Sequence, residues 1–234
     1  MRDDSKPVSS KPVNSILDSV TVVIINYETP DLTERAVRSL RTAYPGIGVL
    51  LIDNGSSDGS DAVVKDLQKL NGKKTEIIMN VRNIHHGPAM DEALRALQTP
   101  CVLFLDSDCD VRRGGFIEQM VALMNSEAKS YAIGKRIFMN DRGFDVEEQP
   151  GAHPYIRPIC MLVRREMYWS LPPFERHGAP CLANFIAADR SGLALVHFPV
   201  EDFVFHEGRG TASRHGYQLG LRGKVNHLLN KLRL

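Results

Sequence analysis

The chain has 234 residues, 43% hydrophobic and 24% charged, and its 29 Lys and Arg against 28 Asp and Glu leave a formal net charge of +1. That length suits one domain with a good-sized core, and the near-balance of charge gives no global basic field of the kind a nucleic-acid surface needs, so an anionic ligand must be met by local groups. Cys101, Cys109, Cys160 and Cys181 form no C-x-x-C pair and no zinc-like spacing, which favours reduced thiols and a cytoplasmic location over a disulfide framework.

Residues 1–18 carry charge, Ser and Pro where a signal peptide needs an apolar stretch, and are expected to form a flexible tail. No later apolar run approaches the ~20 residues of a membrane span. VTVVIIN (20–26) is β-branched and continuous, as a strand buried on both faces should be. Pro30 opens a helix in which Leu32, Ala36, Val37 and Leu40 keep a helical period. IGVLLID (47–53) predicts a second strand, NGSSDGS a turn into the helix DAVVKDLQKL, and TEIIMN (75–80) a third strand. Pro88 is expected to start the next helix, and CVLFLD (101–106) forms the fourth strand.

Downstream, FIEQMVALM reads as a helix and YAIGKRIFM as a strand, while residues 140–157 suit a mobile loop. PICMLVRREMYWSL reads as a strand entering a helix, and CLANFIAADRSGLALVHFP as a helix closed near Gly192 and then a strand. Short strands alternating with helical segments predict an α/β fold with a mostly parallel twisted sheet flanked by helices.

The fourth strand runs into Asp106-Ser107-Asp108-Cys109-Asp110. Like charges at this spacing are costly unless a cation, a proton or solvent compensates them. Alternate side chains of an extended segment share a side, so Asp106, Asp108 and Asp110 are candidates to converge. Oxygen ligands at the carboxyl end of such a strand suit Mg²⁺ or Mn²⁺; most D-x-D tripeptides are merely solvated turns. An EF-hand loop counted from Asp106 would need Gly and Glu where Val111 and Ile117 stand, which excludes it. An aspartyl-nucleophile phosphatase is disfavoured by Asp110 and by the lack of a later acidic pair.

VTVVIINYETPDLTERAVRSL, VLLIDNGSSDGS, the Asn-rich third loop with its helix, and VLFLDSDCD follow in order. Together they resemble the nucleotide-binding half of family 2 glycosyltransferases with the Rossmann-like GT-A fold, closely over residues 20–125 and more loosely beyond. The resemblance implies one such domain over residues 19–216, with a nucleotide-binding half (19–125) and a smaller mixed acceptor half (126–216). It implies that Asp53 accepts the N3–H of uracil or an equivalent base edge, that Glu28 lines the nucleoside pocket, and that Arg82 contacts phosphate or base. Asp106 would lie near ribose or metal, Asp108 would bind Mn²⁺ or Mg²⁺ directly, and His206 would be the late metal ligand. The Gly-Arg-Gly stretch after His206 gives Arg209 a route to the diphosphate, with Arg214 a lesser candidate.

Four positions depart from the family pattern. His85 stands where a Gly is common and Asp91 where an Asn is common, and His85 and His86 are equally compatible with facing solvent. Pro180-Cys181 occupies the place of the acidic pair that supplies the base in inverting members. Glu175 is the nearest acid and the candidate catalytic residue, with His177 a second option.

The expected activity is transfer of a sugar from a nucleoside-diphosphate sugar, UDP-sugar favoured, to an unknown acceptor (glycan, lipid-linked or small molecule), with inversion. The alternatives are a catalytically impaired sugar-nucleotide-binding or scaffold protein of the same fold, and a retaining transferase. A nucleotidyltransferase would want a Gly-rich basic loop after the first strand, and NYETPDLTERA has none. Residues 217–234, with Leu219, Leu221, Val225, Leu228 and Leu232 among basic residues, predict an amphipathic helix suited to packing on the domain, to peripheral membrane contact or to a homodimer.

Overall fold

Apolar runs β1 (Val20–Asn26), β2 (Gly48–Asp53), β3 (Thr75–Met79) and β4 (Cys101–Leu105) lie side by side in the order β3-β2-β1-β4, all parallel. The computed structural model describes residues 16–71, 74–175 and 178–208; most of the expected tail, His177, Arg209, Arg214 and the C-terminal segment 217–234 lie outside the described residues. The sheet continues from β4 through β8 (His153–Arg164) and β6 (Ser130–Met139) to β7 (Asp145–Val146), with β9 (Ala194–His197) also pairing with β6. β8 is antiparallel to β4 and β6, whereas β9 is parallel to β6. The result is a single α/β domain with a mostly parallel mixed sheet.

The continuous apolar character of these strands follows from cover on both faces. On one face Val22, Ile24, Leu103 and Leu105 pack with α1 (Pro30–Ala43) and α4 (Phe116–Ser126), through Leu40, Phe116 and Met120, and with Val64 and Leu67 of α2 (Ser60–Asn71). On the other, Val23, Ile52, Val102 and Phe104 pack with α3 (His86–Ala96), α5 (Arg165–Tyr168) and α6 (Leu182–Arg190), through Met90, Leu94, Tyr168 and Phe185. Residues 102–105 thus alternate between two cores, and a charge at any of them would be stranded in apolar surroundings.

The larger differences from the sequence reading lie at the start of α3 and in residues 140–157. α3 begins at His86 rather than Pro88, so the proline sits within the first turn, where its missing N–H costs nothing. Residues 140–157 are not one loop: β7 forms at 145–146 and β8 starts at His153. Leu105 of β4 pairs with Cys160, so residues 153–159 of β8 run past the end of β4, supported by β6 with Met139 opposite His153. A bulge accommodates this at Gly134, where a Cβ would come within 2.7 Å of the Cys160 carbonyl and 2.8 Å of Ile156 Cγ2.

Candidate active site

β4 ends at Leu105 because the chain turns there: the Cys109 N–H donates to the Asp106 carbonyl at 3.1 Å, placing Ser107 and Asp108 at the centre of a turn. Asp106 and Asp108 therefore converge by a turn and not by strand alternation. Cys109–Val111 then forms β5, antiparallel to β10 (Val204–His206), with His206 opposite Cys109 and Phe205 opposite Asp110. This ribbon brings the distant imidazole to the carboxylates. His206 Nε2 lies 3.1 Å from Asp108 Oδ1 and 4.0 Å from Asp106 Oδ2, and one ligand atom from each of the three residues lies within 4.8 Å of the others. Asp110 is not part of this group; it sits on β5 near Arg35.

The electrostatics of the trio ask for a cation. Burial raises the Asp106 carboxyl above its ordinary value, with the Asp108 charge adding to the rise and His86 and His206 opposing it. A hydrogen bond to Asp108 raises the His206 imidazole, against the opposing effect of burial. Asp108 is only 5% exposed. Two carboxylates and one imidazole form a hard-to-borderline donor set that fits Mn²⁺ or Mg²⁺ better than a thiophilic ion.

Asp53 closes β2 at the same edge of the sheet, opposite Asn26 in the register with β1. It is 2% exposed. Its Oδ1 accepts from Asn26 Nδ2 (2.7 Å) and Ser56 Oγ (2.6 Å), and its Oδ2 from the Ser56 N–H (3.1 Å). The Ser56 hydroxyl in turn accepts from the Glu28 N–H at 2.9 Å, and Glu28 Oε1 accepts from Ser57 Oγ at 2.8 Å. Asp53 and Glu28 thus share one hydrogen-bonded loop pair, with Glu28 in the left-handed region at φ 53°.

The third loop is built on this pair. Gly55, at φ 73°, lies so close to the Arg82 backbone that a Cβ would fall 2.2 Å from the Arg82 carbonyl carbon. Asn54 Nδ2 donates to Asn83 Oδ1 (3.1 Å) and to the His85 carbonyl (3.3 Å), and Asn54 Oδ1 accepts from Asn80 Nδ2 and the Ile84 N–H, both at 3.2 Å. Arg82 itself points outward and is exposed. His85 adopts φ 72°, ψ 166°, a region nearly reserved for glycine. Asp91 has a packing role: its carboxylate accepts from Tyr168 Oη and from Arg95 Nε, both at 2.7 Å.

Pro180 and Cys181 are buried, and burial pushes the Cys181 thiol well up, so it supplies no base at neutral pH. The exposed Glu175 is tied to the same place, its N–H donating to the Pro180 carbonyl at 3.3 Å. The sequence reading missed two neighbours. His86 Nε2 lies 3.8 Å from Asp106 Oδ1. Arg157, on the overhang of β8 and ion-paired with Asp145, is near enough to His206 for its charge to oppose protonation of the imidazole. Nothing local in HHGP or YIRP signals this; only the start of α3 and the length of β8 bring them in.

A parallel β3-β2-β1-β4 core with a carboxylate pair and an imidazole beyond its carboxyl ends is the arrangement of a GT-A fold. The family model for glycosyl transferase family 2 matches residues 21–188, and the chain belongs to that family. Solved structures share the fold at low identity. A mannosyltransferase, PcManGT from Pyrobaculum calidifontis, in complex with GDP-Man and Mn²⁺, is 15% identical with a TM-score of 0.60, over 98% of this chain and 68% of that one. GalNAc-T7 with UDP, GalNAc and Mn²⁺ is 14% identical with a TM-score of 0.64, over 77% of this chain and 42% of that one. S. aureus TarS 1–349 is 14% identical with a TM-score of 0.57, over 81% and 60%. The chain thus spans under two thirds of the latter two. No curated protein sequence matches it. No helix among the described residues is long and apolar enough to cross a membrane.

Proposed function

We propose that this glycosyltransferase moves a sugar from a nucleoside-diphosphate sugar, with a UDP-sugar favoured, to an acceptor hydroxyl or other nucleophile, with inversion at the sugar. The observation that carries the reading is the convergence of Asp106, Asp108 and His206 within 4.8 Å at the carboxyl edge of the sheet. Two structures of similar fold were obtained with Mn²⁺, one with GDP-Man and one with UDP and GalNAc. A divalent cation, Mn²⁺ or Mg²⁺, held by these three residues would supply positive charge beside the leaving diphosphate.

The remaining roles belong to the chain itself. Asp53, clamped by Asn26 and Ser56, presents a fixed acceptor for a base N–H. Glu28 lines the nucleoside side, Arg82 is a contact for phosphate or base, and Arg209 is a contact for the diphosphate. Glu175, anchored through its amide beside Pro180, takes the proton of the acceptor nucleophile as it attacks the anomeric carbon and the bond to the diphosphate breaks. The acceptor half is residues 126–216, and the cytoplasm is the proposed site of action.

Incubation with Mn²⁺ and a panel of sugar nucleotides tests the reading. The expected result is binding and slow hydrolysis of one donor, abolished by EDTA. No binding and no hydrolysis across the panel contradicts it.

A further inference from the structure

The Asp106 carboxylate stands between two imidazoles. Its Oδ2 faces His206 at 4.0 Å and its Oδ1 faces His86 at 3.8 Å. His86 is not one of the three residues whose ligand atoms lie within 4.8 Å of one another, so it addresses Asp106 from outside that set. We infer that His86 is a positioning residue that holds Asp106 Oδ1 through its Nε2–H and so turns Oδ2 toward the cation. The inference rests on the metal-dependent reading above.

The backbone aims His86 at some cost. His85, immediately before it, is held at φ 72°, ψ 166°. Its N–H donates to Asn83 Oδ1 at 2.7 Å, and its carbonyl accepts from Asn54 Nδ2 at 3.3 Å and from the Ala89 N–H at 3.2 Å. A strained non-glycine residue persists only where its surroundings over-determine it. Here those surroundings set the first residue of α3, and with it the direction of the His86 ring. At 3.8 Å the pair is longer than a hydrogen bond, and contacts of this kind tighten when a site is filled. A carboxylate that shares a cation gains from a donor on its other oxygen, which fixes its orientation, and loss of such a partner typically costs about 10–100-fold in metal affinity.

The test is Mn²⁺ affinity of the full chain, read from the EPR signal of free Mn²⁺, for wild type, His86→Ala, His86→Gln and His86→Asn, with melting temperatures alongside. His86→Ala should weaken Mn²⁺ binding by roughly tenfold or more. His86→Gln, whose amide nitrogen reaches the place of Nε2, should restore most of the affinity, and the shorter Asn should not. If His86→Ala does not fold, the Gln and Asn variants carry the comparison. Wild-type affinity in His86→Ala, or equal affinity in the Gln and Asn variants, overturns the positioning role and leaves the proposed function standing. Absence of Mn²⁺ binding by the wild type overturns both.

Discussion

His206 Nε2 lies 3.1 Å from Asp108 Oδ1, although the two residues belong to distant parts of the chain. The contact is set by strand register: β5 leaves the turn after Asp108 and pairs with β10 so that Cys109 faces His206. The site is therefore only as rigid as a three-residue ribbon, backed by Val204 and Val111 in the core.

Asp108→Asn keeps the shape of that contact and removes its charge. Mn²⁺ binding should be lost, and donor hydrolysis should fall by about 10²-fold or more, as for removal of a preorganised stabilising group. Isothermal titration with Mn²⁺ and a donor-hydrolysis assay check this.

Glu175→Gln separates catalysis from binding. With Glu175 as the base, kcat should fall by about 10²–10⁴-fold while the KM for donor stays within a small factor. Unchanged kcat would remove Glu175 from the mechanism. Loss of donor affinity together with kcat would point to a structural effect on the Pro180 region.

The loops after β2 and β3 make opposite predictions for two substitutions. His85→Gly relieves a backbone conformation unsuited to a side chain, and should stabilise the protein by about 1 kcal/mol, read as a rise of a few degrees in Tm. Gly55→Ala places a methyl 2.2 Å from the Arg82 carbonyl carbon at φ 73°, and should destabilise by about 2 kcal/mol or more. Differential scanning calorimetry of the two variants measures both.

The four thiols are buried, and Cys101 is pushed up to about 11 by burial. Above an ordinary thiol value of 9.0 the unfolded chain loses the Cys101 proton while the folded chain keeps it. The folded state then binds more protons, so stability falls as pH rises from about 9 to about 11. Native protein should show no thiol fast to react with a disulfide reagent at pH 7.5, and denatured protein four. A fast native thiol would place one cysteine at the surface.

Much of the fold is legible in the sequence because burial on both faces leaves unbroken apolar runs. VTVVIIN and CVLFL need no partner to be recognised as strands, and Pro30 marks a helix start by chemistry alone. The candidate trio is legible for a similar reason: Asp106 and His206 each end an apolar run, and Asp108 follows Asp106 in an Asp-x-Asp tripeptide. What the residues conceal is determined by distant geometry. The first turn of α3 depends on the Asn54–Asn83 network, which overrides Pro88 as a start signal and carries His86 to Asp106. The early start of β8 depends on pairing with β6, so residues 153–157 read as polar loop although they form a strand over the site.

The central claim is that Asp106, Asp108 and His206 hold a divalent cation against the donor diphosphate. Anomalous diffraction at the Mn absorption edge from crystals grown with Mn²⁺ and UDP tests it most directly. One strong peak is predicted within about 2.0–2.4 Å of Asp108 and His206, close to Asp106 and bridging to the diphosphate oxygens. A bound nucleotide with no such peak at these residues, or with Mn²⁺ seated elsewhere, would contradict the account.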